Sequence, residues 1–236
     1  MAVDTAADKG YCDFYFIRHL EAELPAKGKV LCGGSQPGSE LDTGLTAQSK
    51  EHLEALTEKV AQLPSIAAIF SSPFKKTIET VQPSADRLKL TLILNPALDE
   101  LNHGILMGMN SEEWKNHPSW KAYSKLSRLE KFTSHQIEGA ESNCEAIDRV
   151  RAFCLKTAPQ YLGKSVVCCS HDGAMRSLLN LATIEKIGGP LGSRSSADAA
   201  GQIPKHTKIE DTQHFENGEI FHVRFYLLSG RVETFH

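Results

Sequence analysis

The stretch FYFIRHLEAE, residues 14–23, joins an apolar run to two polar residues that can both carry charge. Aromatic and β-branched residues favour β-structure, so residues 13–17 are predicted to form a short buried strand. Arg18 and His19 then follow directly at its carboxyl end. In sheets of α/β proteins, binding sites form just beyond the carboxyl ends of the strands. The Arg-His pair is therefore a candidate part of such a site.

The same pattern recurs along the chain, where apolar runs of strand length alternate with amphipathic helices. Three more strands are predicted, in SIAAIFSS (65–72), LTLILNP (90–96) and SVVCCSHDG (165–173). Pro83 lies inside the helical stripe after the second strand, and a kink or a break is expected there. The alternation predicts an α/β fold, a three-layer α/β/α sandwich with a mostly parallel central sheet.

Two segments interrupt this alternation. Residues 101–145 are polar and irregular, and we predict that they form an inserted helical lid. Residues 187–211 are rich in Gly, Ser and Pro and are predicted to form a variable, mobile loop. The last strands are expected to form a hairpin that turns at Ser229 and Gly230. All of this is compatible with a single domain over residues 1–236.

The composition excludes several classes of function. Hydrophobic residues make up 41% of the chain and charged residues 23%, and the net charge is -3, so no general nucleic-acid or membrane surface is expected. The first residues lack the regions of a signal peptide, and no run of 18 apolar residues occurs, so a cytoplasmic protein is expected. The six cysteines include no CxxC pair, which predicts reduced thiols and makes a zinc site unlikely.

Side chains that bind anions follow three of the predicted strands. Arg18 and His19 follow the first strand, Lys76 follows the second, and His171 follows the fourth. On a nearly neutral chain these residues would form a compact cationic pocket for a dianion such as a phosphoryl group. A neutral imidazole nitrogen can accept a phosphoryl group and pass it to water. Because protein cations would neutralise the phosphoryl oxygens, no metal or other cofactor is expected.

Six segments, in order, resemble the motifs of the histidine phosphatase superfamily, the phosphoglycerate-mutase-like group whose signature is Arg-His-Gly. They are FIRHLEAE (16–23), LDTGLTAQS (41–49), IFSSPFKKTIETVQPSADRL (69–88), LDELNHGILMG (98–108), EGAESNCEAIDRVRAF (138–153) and VVCCSHDGAMRSLL (166–179). The resemblance covers the chain from residue 13 to about residue 180, and the last 50 residues match only loosely.

This resemblance implies a role for each residue of the pocket. His19 would be the nucleophile that becomes phosphohistidine, while Arg18, Lys76 and His171 would hold the phosphoryl group. Glu100 would protonate the leaving oxygen and later activate water; the alternative is that Glu100 is a solvated loop carboxylate. The substrate would be a small phosphorylated metabolite or a phosphoprotein, without nucleic acid or membrane as a partner.

Three positions depart from the family pattern. Leu20 replaces the Gly after the nucleophile, which adds bulk, disfavours positive φ and could narrow the pocket. Lys76 replaces the second pocket Arg, which keeps the charge but loses the bidentate fork. Asp172 follows His171 where many relatives have Gly. It is either a second acid, as in the acid-phosphatase branch, or the N-cap of the following helix.

Three functions follow from this pattern. The first is a metal-independent phosphatase that hydrolyses a phosphomonoester through phosphohistidine. The second is a catalytically weakened family member that binds a phosphorylated ligand or partner without turnover, and Leu20 and Lys76 motivate it. The third, a phosphoglycerate mutase, is disfavoured because the proline-rich insert of the mutases and a further Arg cluster in the lid are missing. The substrate is not predicted from the sequence.

Overall fold

A computed structural model describes residues 10–23, 37–188, 195–204, 214–227 and 232–235. Within these residues six strands form one mixed, mostly parallel sheet in the order β3-β2-β4-β1-β5-β6. Neighbouring strands in the run from β3 to β1 pair in parallel, whereas β5 is antiparallel to both β1 and β6. The strands are β1 (Tyr11–Arg18), β2 (Ile66–Ser71), β3 (Leu92–Leu94), β4 (Ser165–Ser170), β5 (Ile220–Tyr226) and β6 (Val232–Phe235).

Helices cover both faces of this sheet. Those of the described residues are α1 (Ala47–Glu51), α2 (Leu53–Ala61), α3 (Lys75–Leu88), α4 (Ser111–Asn116), α5 (Pro118–Ser124), α6 (Arg128–Thr133), α7 (Asn143–Thr157), α8 (Asp172–Gly188) and α9 (Ser196–Gly201). The arrangement confirms the predicted α/β fold.

The two faces of the sheet carry two separate hydrophobic cores, because side chains alternate along each buried strand. Phe14 and Cys168 point into one core with residues of α7 and α8. Tyr15 and Cys169 point into the other core with residues of α2 and α3. Both faces of the central strands are therefore buried, which explains why β1 and β4 consist of continuous apolar runs and not of alternating ones.

Pro83 lies inside α3, which runs as one helix from Lys75 to Leu88. Of the two outcomes expected at Pro83, the break is therefore not found, and the kink stays a prediction. Proline removes one backbone donor from a helix, at a cost of about 3 kcal/mol or more in an isolated helix. Here Val81 and Ala85 on either side of Pro83 are fully buried in the second core, and this packing holds the helix together.

Residues 101–145, the predicted lid, contain three short helices, α4 to α6. Asn110 and Ser127 begin α4 and α6 with capping boxes, in which the cap side chain and the third helical residue bond each other's backbone. Leu106, Trp114 and Ile137 form a small hydrophobic core within this segment. The segment therefore folds into short helices with a small hydrophobic core of its own.

The described part of the predicted loop at 187–211 contains the end of α8 and the short helix α9. Residues 189–194 and 205–211 lie outside the described residues, and so does the turn predicted at Ser229 and Gly230. The two strands expected on either side of that turn do pair in antiparallel fashion, as β5 and β6. Among the described helices, none has the length and apolar character that a membrane span requires.

Candidate active site

Three parallel strands end side by side at one edge of the sheet. Arg18 at the end of β1 pairs in register with Ser170 at the end of β4, and Ser71 at the end of β2 pairs with Cys169. The next residues along the chain are His19, His171 and Ser72. The structure therefore brings the two histidines together, and their ring centroids lie 5.0 Å apart in an edge-to-face arrangement.

His19 is held in one orientation by two backbone carbonyls. Its backbone N–H donates to the Ser170 carbonyl at 3.0 Å, and its ring Nδ1 lies 2.6 Å from the Leu20 carbonyl oxygen. Because a carbonyl only accepts hydrogen bonds, Nδ1 must carry the proton in this contact. The neutral ring therefore keeps its lone pair on Nε2, which is the form required of a nucleophile.

The environment of His19 favours this neutral form. The side chain is 7% exposed, and burial lowers its pKa well below the ordinary value of a histidine. The nearby cations Lys76 and Arg18 lower the pKa further, whereas the hydrogen bond to the Leu20 carbonyl opposes them. At neutral pH the imidazole of His19 is therefore uncharged.

His171 carries its proton on the other ring nitrogen. Its Nε2 lies 3.0 Å from the Ser72 hydroxyl oxygen, and that hydroxyl donates to Asp99 Oδ1 at 2.7 Å. Since the Ser72 proton is committed to Asp99, Nε2 of His171 is the donor in the first contact. The remaining nitrogen, Nδ1, is buried and has no hydrogen-bond partner among the described residues. Nδ1 can therefore accept a hydrogen bond from a water molecule, or donate one to an oxygen of a bound group if the ring gains a second proton.

Burial also lowers the pKa of His171 well below its ordinary value, and Lys76 and His19 contribute in the same direction. The side chain is 1% exposed. A dianion bound between the two histidines would reverse this effect, because a nearby negative charge favours imidazolium. A bound dianion would therefore raise the pKa of both rings and favour uptake of a proton from solvent.

Arg18 and Lys76 supply positive charge from two different elements. Lys76 lies in the first turn of α3 and is buried, whereas its neighbour Lys75 is exposed. Arg18 Nη1 donates to the Phe215 carbonyl, which ties the guanidinium to the segment before β5. The Arg18 Nε is buried and has no hydrogen-bond partner within the described residues. Both cations are therefore placed to meet an anion next to His19.

Asp172 does not take the predicted N-cap position. Helix α8 begins at Asp172 itself, so this residue lies within the first turn. Its carboxylate accepts the backbone N–H of Phe215 at 2.8 Å and lies 2.6 Å from Nδ1 of His214. Because the Phe215 carbonyl in turn holds Arg18, Asp172 positions the pocket arginine through one intervening residue. The carboxylate is engaged in these contacts and is not presented as a second acid.

Leu20 does not place its bulk in the pocket. Its side chain is buried in the second core, and it lines a separate cavity of about 430 Å³ with Gln48 and Gly218. Its backbone N–H donates to the Thr80 hydroxyl at 3.0 Å. Of the described residues other than Gly, only Ser65 and Lys89 have positive φ, so Leu20 is not strained. The expectation that Leu20 narrows the pocket was wrong.

Glu100 lies beside Gly173 in the first turn of α8, the helix that follows His171 in the chain. Its Oε1 accepts the backbone N–H of Leu101 at 2.8 Å. A Cβ atom added to Gly173 would approach that same oxygen to 2.4 Å, so the glycine leaves room for the carboxylate. Glu100 is half-buried. It is thus not a fully solvated loop carboxylate.

Two residues of the site escaped the prediction. Ser72 follows β2 just as Arg18 and His19 end β1, so its position at a strand end was a usable signal. Asp99 precedes Glu100, and its contact with Ser72 depends on how the loop after β3 folds back over the sheet. Arg149 fixes this loop by donating to the carbonyl oxygens of Ala97 and Asp99. Nothing in the sequence singles out that contact.

The described residues contain no group of three or more side chains suited to a metal ion.

The fold and the site define an α/β protein with a histidine-centred anion pocket at the edge of its sheet. The chain belongs to the histidine phosphatase superfamily: the family described as "Histidine phosphatase superfamily (branch 1)" matches residues 14–191. This match confirms the resemblance found in the sequence.

Individual proteins similar to the chain agree with this assignment. Phosphoserine phosphatase 1 of Hydrogenobacter thermophilus is 26% identical over 164 residues, which cover 69% of this chain and 72% of that protein. Phosphoglycerate mutase-like protein 4 of Arabidopsis thaliana is 26% identical over 179 residues, covering 74% and 73%. The solved mycobacterial glucosyl-3-phosphoglycerate phosphatase with VO3 matches with a TM-score of 0.69 at 17% identity, covering 94% and 96%. The family and the relative from Hydrogenobacter support phosphatase activity, and the solved structure shows the shared fold.

Proposed function

We propose that the protein is a metal-independent phosphoric monoester hydrolase that works through a phosphohistidine on His19. The observation that carries the proposal is the hydrogen bond from Nδ1 of His19 to the Leu20 carbonyl, which leaves the lone pair on Nε2. The relative from Hydrogenobacter is named for phosphoserine and the mycobacterial one for glucosyl-3-phosphoglycerate. These names support a small phosphorylated metabolite as the substrate.

In the first step, Nε2 of His19 attacks phosphorus and the bond to the leaving oxygen breaks. Glu100, in its protonated form, gives its proton to that oxygen, and the alcohol departs. The Leu20 carbonyl accepts from Nδ1 and stabilises the charge that develops on the ring. Arg18, Lys76 and a protonated His171 neutralise the three phosphoryl oxygens, which is the main contribution a protein makes to phosphoryl transfer.

In the second step, the Glu100 carboxylate takes a proton from water, and the water oxygen attacks phosphorus. The bond from phosphorus to Nε2 breaks, its electron pair returns to the imidazole, and inorganic phosphate leaves. Each group then has its starting protonation state. The protein cations supply the positive charge that a metal ion supplies in other phosphatases.

The direct test is hydrolysis of p-nitrophenyl phosphate in the presence of EDTA. We expect turnover by the wild type, acid-labile phosphate trapped on His19, and loss of both in His19→Ala. Turnover that survives in His19→Ala would show that the nucleophile is another residue. Exposed His214, which lies outside the pocket, provides the matched control His214→Ala.

The role of Glu100 has its own test, because p-nitrophenolate leaves without help from an acid and an alkoxide does not. Glu100→Gln should reduce hydrolysis of an alkyl phosphate by roughly 100-fold or more, within the range of general acid catalysis. Its effect on p-nitrophenyl phosphate should be much smaller. Equal losses on both substrates would argue against Glu100 as the proton donor.

Binding of a phosphorylated ligand without turnover is the alternative. The sequence suggested this alternative because of Leu20 and Lys76. The Leu20 side chain packs in the second core, so Leu20 no longer supports the alternative. Tight binding of inorganic phosphate by a wild-type protein that neither turns over p-nitrophenyl phosphate nor forms phosphohistidine would favour this alternative.

A further inference from the structure

The loop that carries Glu100 is held by one guanidinium from α7. Nη1 of Arg149 donates to the carbonyl oxygens of Ala97 and Asp99, at 2.9 and 3.1 Å. The Asp99 carbonyl belongs to the peptide bond that joins Asp99 to Glu100, so this contact fixes the backbone immediately before the proposed acid. Hydrogen bonds from a charged donor are roughly twice as strong as bonds between neutral groups. The backbone before Glu100 therefore depends on a side chain from a different element.

The backbone after Glu100 is held by the other end of the predicted lid. The Asn102 carbonyl accepts the backbone N–H of Glu141 at 2.8 Å. Gly104 follows with a φ of +56°, and a Cβ atom there would come within 2.0 Å of the Glu138 carbonyl oxygen. Only a glycine permits so close an approach of the two strands of backbone. The two ends of the predicted lid therefore meet just after the acid in the chain.

An ion pair joins these two contacts. Nε and Nη2 of Arg149 donate to the two carboxylate oxygens of Glu141, at 2.8 and 2.7 Å. The side chains are only 24% and 15% exposed, so water competes weakly for these bonds. Burial alone would lower the pKa of Arg149, but the bonds to Glu141 and the charges of Asp99 and Glu100 outweigh it and raise the pKa. All three nitrogens of a charged guanidinium are thus used, two towards Glu141 and one towards the loop.

The carboxylate of Glu100 has little room in which to lie. Its Oε1 accepts the backbone N–H of Leu101 and lies where a Cβ atom of Gly173 would approach to 2.4 Å. In the same loop, Asp99 Oδ1 accepts the Ser72 hydroxyl at 2.7 Å. Proton transfer needs an acid within hydrogen-bond reach, and a misplacement of about 1 Å can lower a rate roughly 100-fold. The rate of an acid-assisted step is therefore sensitive to where this loop lies.

We propose that Arg149, together with Glu141, is a positioning residue for proton donation by Glu100. The inference rests on the proposed phosphatase function and adds a residue that acts through the backbone of the acid. Arg149 holds the peptide bond before Glu100, Glu141 holds the Asn102 carbonyl after it, and the ion pair sets the distance between the two contacts. The strand that leads to Glu100, β3, has only three residues and lies at the edge of the sheet, so these contacts supply support that the strand does not.

The test compares two aryl phosphates that differ by one nitro group. Phenol has a pKa of about 10, like the tyrosine side chain, and needs a proton on leaving far more than p-nitrophenol does. We expect Arg149→Gln to lower kcat/KM for phenyl phosphate roughly 5- to 30-fold more than for p-nitrophenyl phosphate. Loss of folded protein would lower both values by the same factor. The ratio of the two values therefore reports the position of the acid and not the stability of the protein.

Two milder variants address the same contacts. Arg149→Lys keeps a charge near the loop but loses the bidentate pair, and Glu141→Gln keeps one neutral acceptor for Arg149. Each should change the ratio in the same direction by a smaller factor, and these variants carry the test if Arg149→Gln does not fold. Arg87→Gln is the matched control, because Arg87 pairs with Glu54 and Glu58 on the surface between α2 and α3. It should leave the ratio as it is in the wild type.

A double variant assigns the effect to Glu100. Glu100→Gln alone should change the ratio at least as much as Arg149→Gln does. Adding Arg149→Gln to Glu100→Gln should change it no further, because two residues that act through one group have non-additive effects. A further change by the same factor in the double variant would overturn the inference, and so would an unchanged ratio in the folded variants of Arg149 and Glu141.

The outcomes separate this inference from the function on which it rests. If Glu100→Gln leaves the ratio unchanged, the acid is another residue, and the inference fails while the phosphatase stands. If the wild type turns over neither aryl phosphate, the phosphatase function fails and the inference fails with it.

Discussion

At the scale of single residues, the site depends on where each imidazole carries its proton. His19 carries it on Nδ1 and keeps a lone pair on Nε2, whereas His171 carries it on Nε2 and leaves Nδ1 without a partner among the described residues. The two assignments follow from different acceptors, the Leu20 carbonyl and the Ser72 hydroxyl. One histidine is thus prepared to attack phosphorus and the other to hold an oxygen once it gains a second proton.

Asp99 should set the pH range in which His171 carries that second proton. Its carboxylate acts on the ring through the Ser72 hydroxyl. Asp99→Asn keeps an acceptor for Ser72 and removes the charge, so the pKa of His171 in the phosphoryl complex should fall. The alkaline limb of a plot of kcat against pH should then move to lower pH.

The matched control for this experiment is Asp86→Asn, since Asp86 is exposed on α3 and bonds Gln82. It should leave the profile where the wild type has it. An alkaline limb that stays in place in Asp99→Asn would show that the carboxylate does not act on His171.

Lys76→Arg tests whether the lack of a bidentate guanidinium at this position limits how tightly phosphate binds. The charge of Lys76 is buried there, and a second guanidinium could bind two phosphoryl oxygens at once. We expect the inhibition constant of inorganic phosphate to fall roughly 5- to 30-fold, which corresponds to about 1–2 kcal/mol. Exposed Lys75 gives the control Lys75→Arg. If the inhibition constant of inorganic phosphate stays the same or rises in Lys76→Arg, the pocket fits an ammonium group better than a guanidinium.

The sequence predicted the residues at strand ends better than it predicted side-chain directions. Arg18, His19 and His171 could be found because parallel strands share one edge of the sheet. The direction of Leu20 could not, since it depends on the second core beneath β1. The same holds for Asp172, whose hydrogen-bond partners His214 and Phe215 lie more than 40 residues further along the chain. Contacts of this kind arise from tertiary packing and leave no local pattern.

At the scale of elements, the first turn of α8 connects His171, Glu100 and the segment before β5. His171 precedes this helix, Gly173 makes room for Glu100, and Asp172 holds the segment before β5. That segment in turn accepts a hydrogen bond from Arg18. A change in this one turn should therefore reach both the phosphoryl pocket and the acid.

Asp172→Ala should loosen Arg18 through Phe215. Loss of the acceptor for the Phe215 N–H frees the carbonyl that holds the guanidinium, and KM should rise more than kcat changes. We expect kcat/KM to fall roughly 5- to 30-fold, equivalent to about 1–2 kcal/mol. Asp172→Asn, which keeps a neutral acceptor, should recover part of this loss.

His214→Ala removes the exposed partner of the same carboxylate and leaves its bond to Phe215. Its effect should be small. If His214→Ala were as harmful as Asp172→Ala, the contact with Phe215 would not be the important one.

At the scale of the whole molecule, two buried neutral histidines make stability depend on pH. The pKa of each is lowered in the folded state, so between that value and about 6.5 the unfolded chain binds more protons. Stability is therefore full above pH 6.5 and declines as the pH falls below it. From pH 7 to pH 5.5 these two histidines, together with His103, whose pKa burial also lowers, should therefore reduce the free energy of unfolding, by a few kcal/mol in all.

Urea unfolding at the two pH values measures this difference. His19→Asn and His171→Asn should each make this difference smaller. Saturating inorganic phosphate should also reduce the difference, because a bound dianion favours the protonated rings. A pH dependence that both variants retain in full would place its origin elsewhere in the molecule.

The order of the strands has a consequence for how the protein exchanges its amide hydrogens. β1 carries the nucleophile and lies between β4 and β5, whereas β3, which leads to Glu100, is a three-residue strand at the edge of the sheet. The His19 amide, bonded to Ser170, should exchange with deuterium only when the whole protein opens, and the Leu101 amide should exchange through local fluctuations. On this expectation the proposed nucleophile lies in a slowly exchanging part of the molecule, and the proposed proton donor lies in a part that exchanges faster.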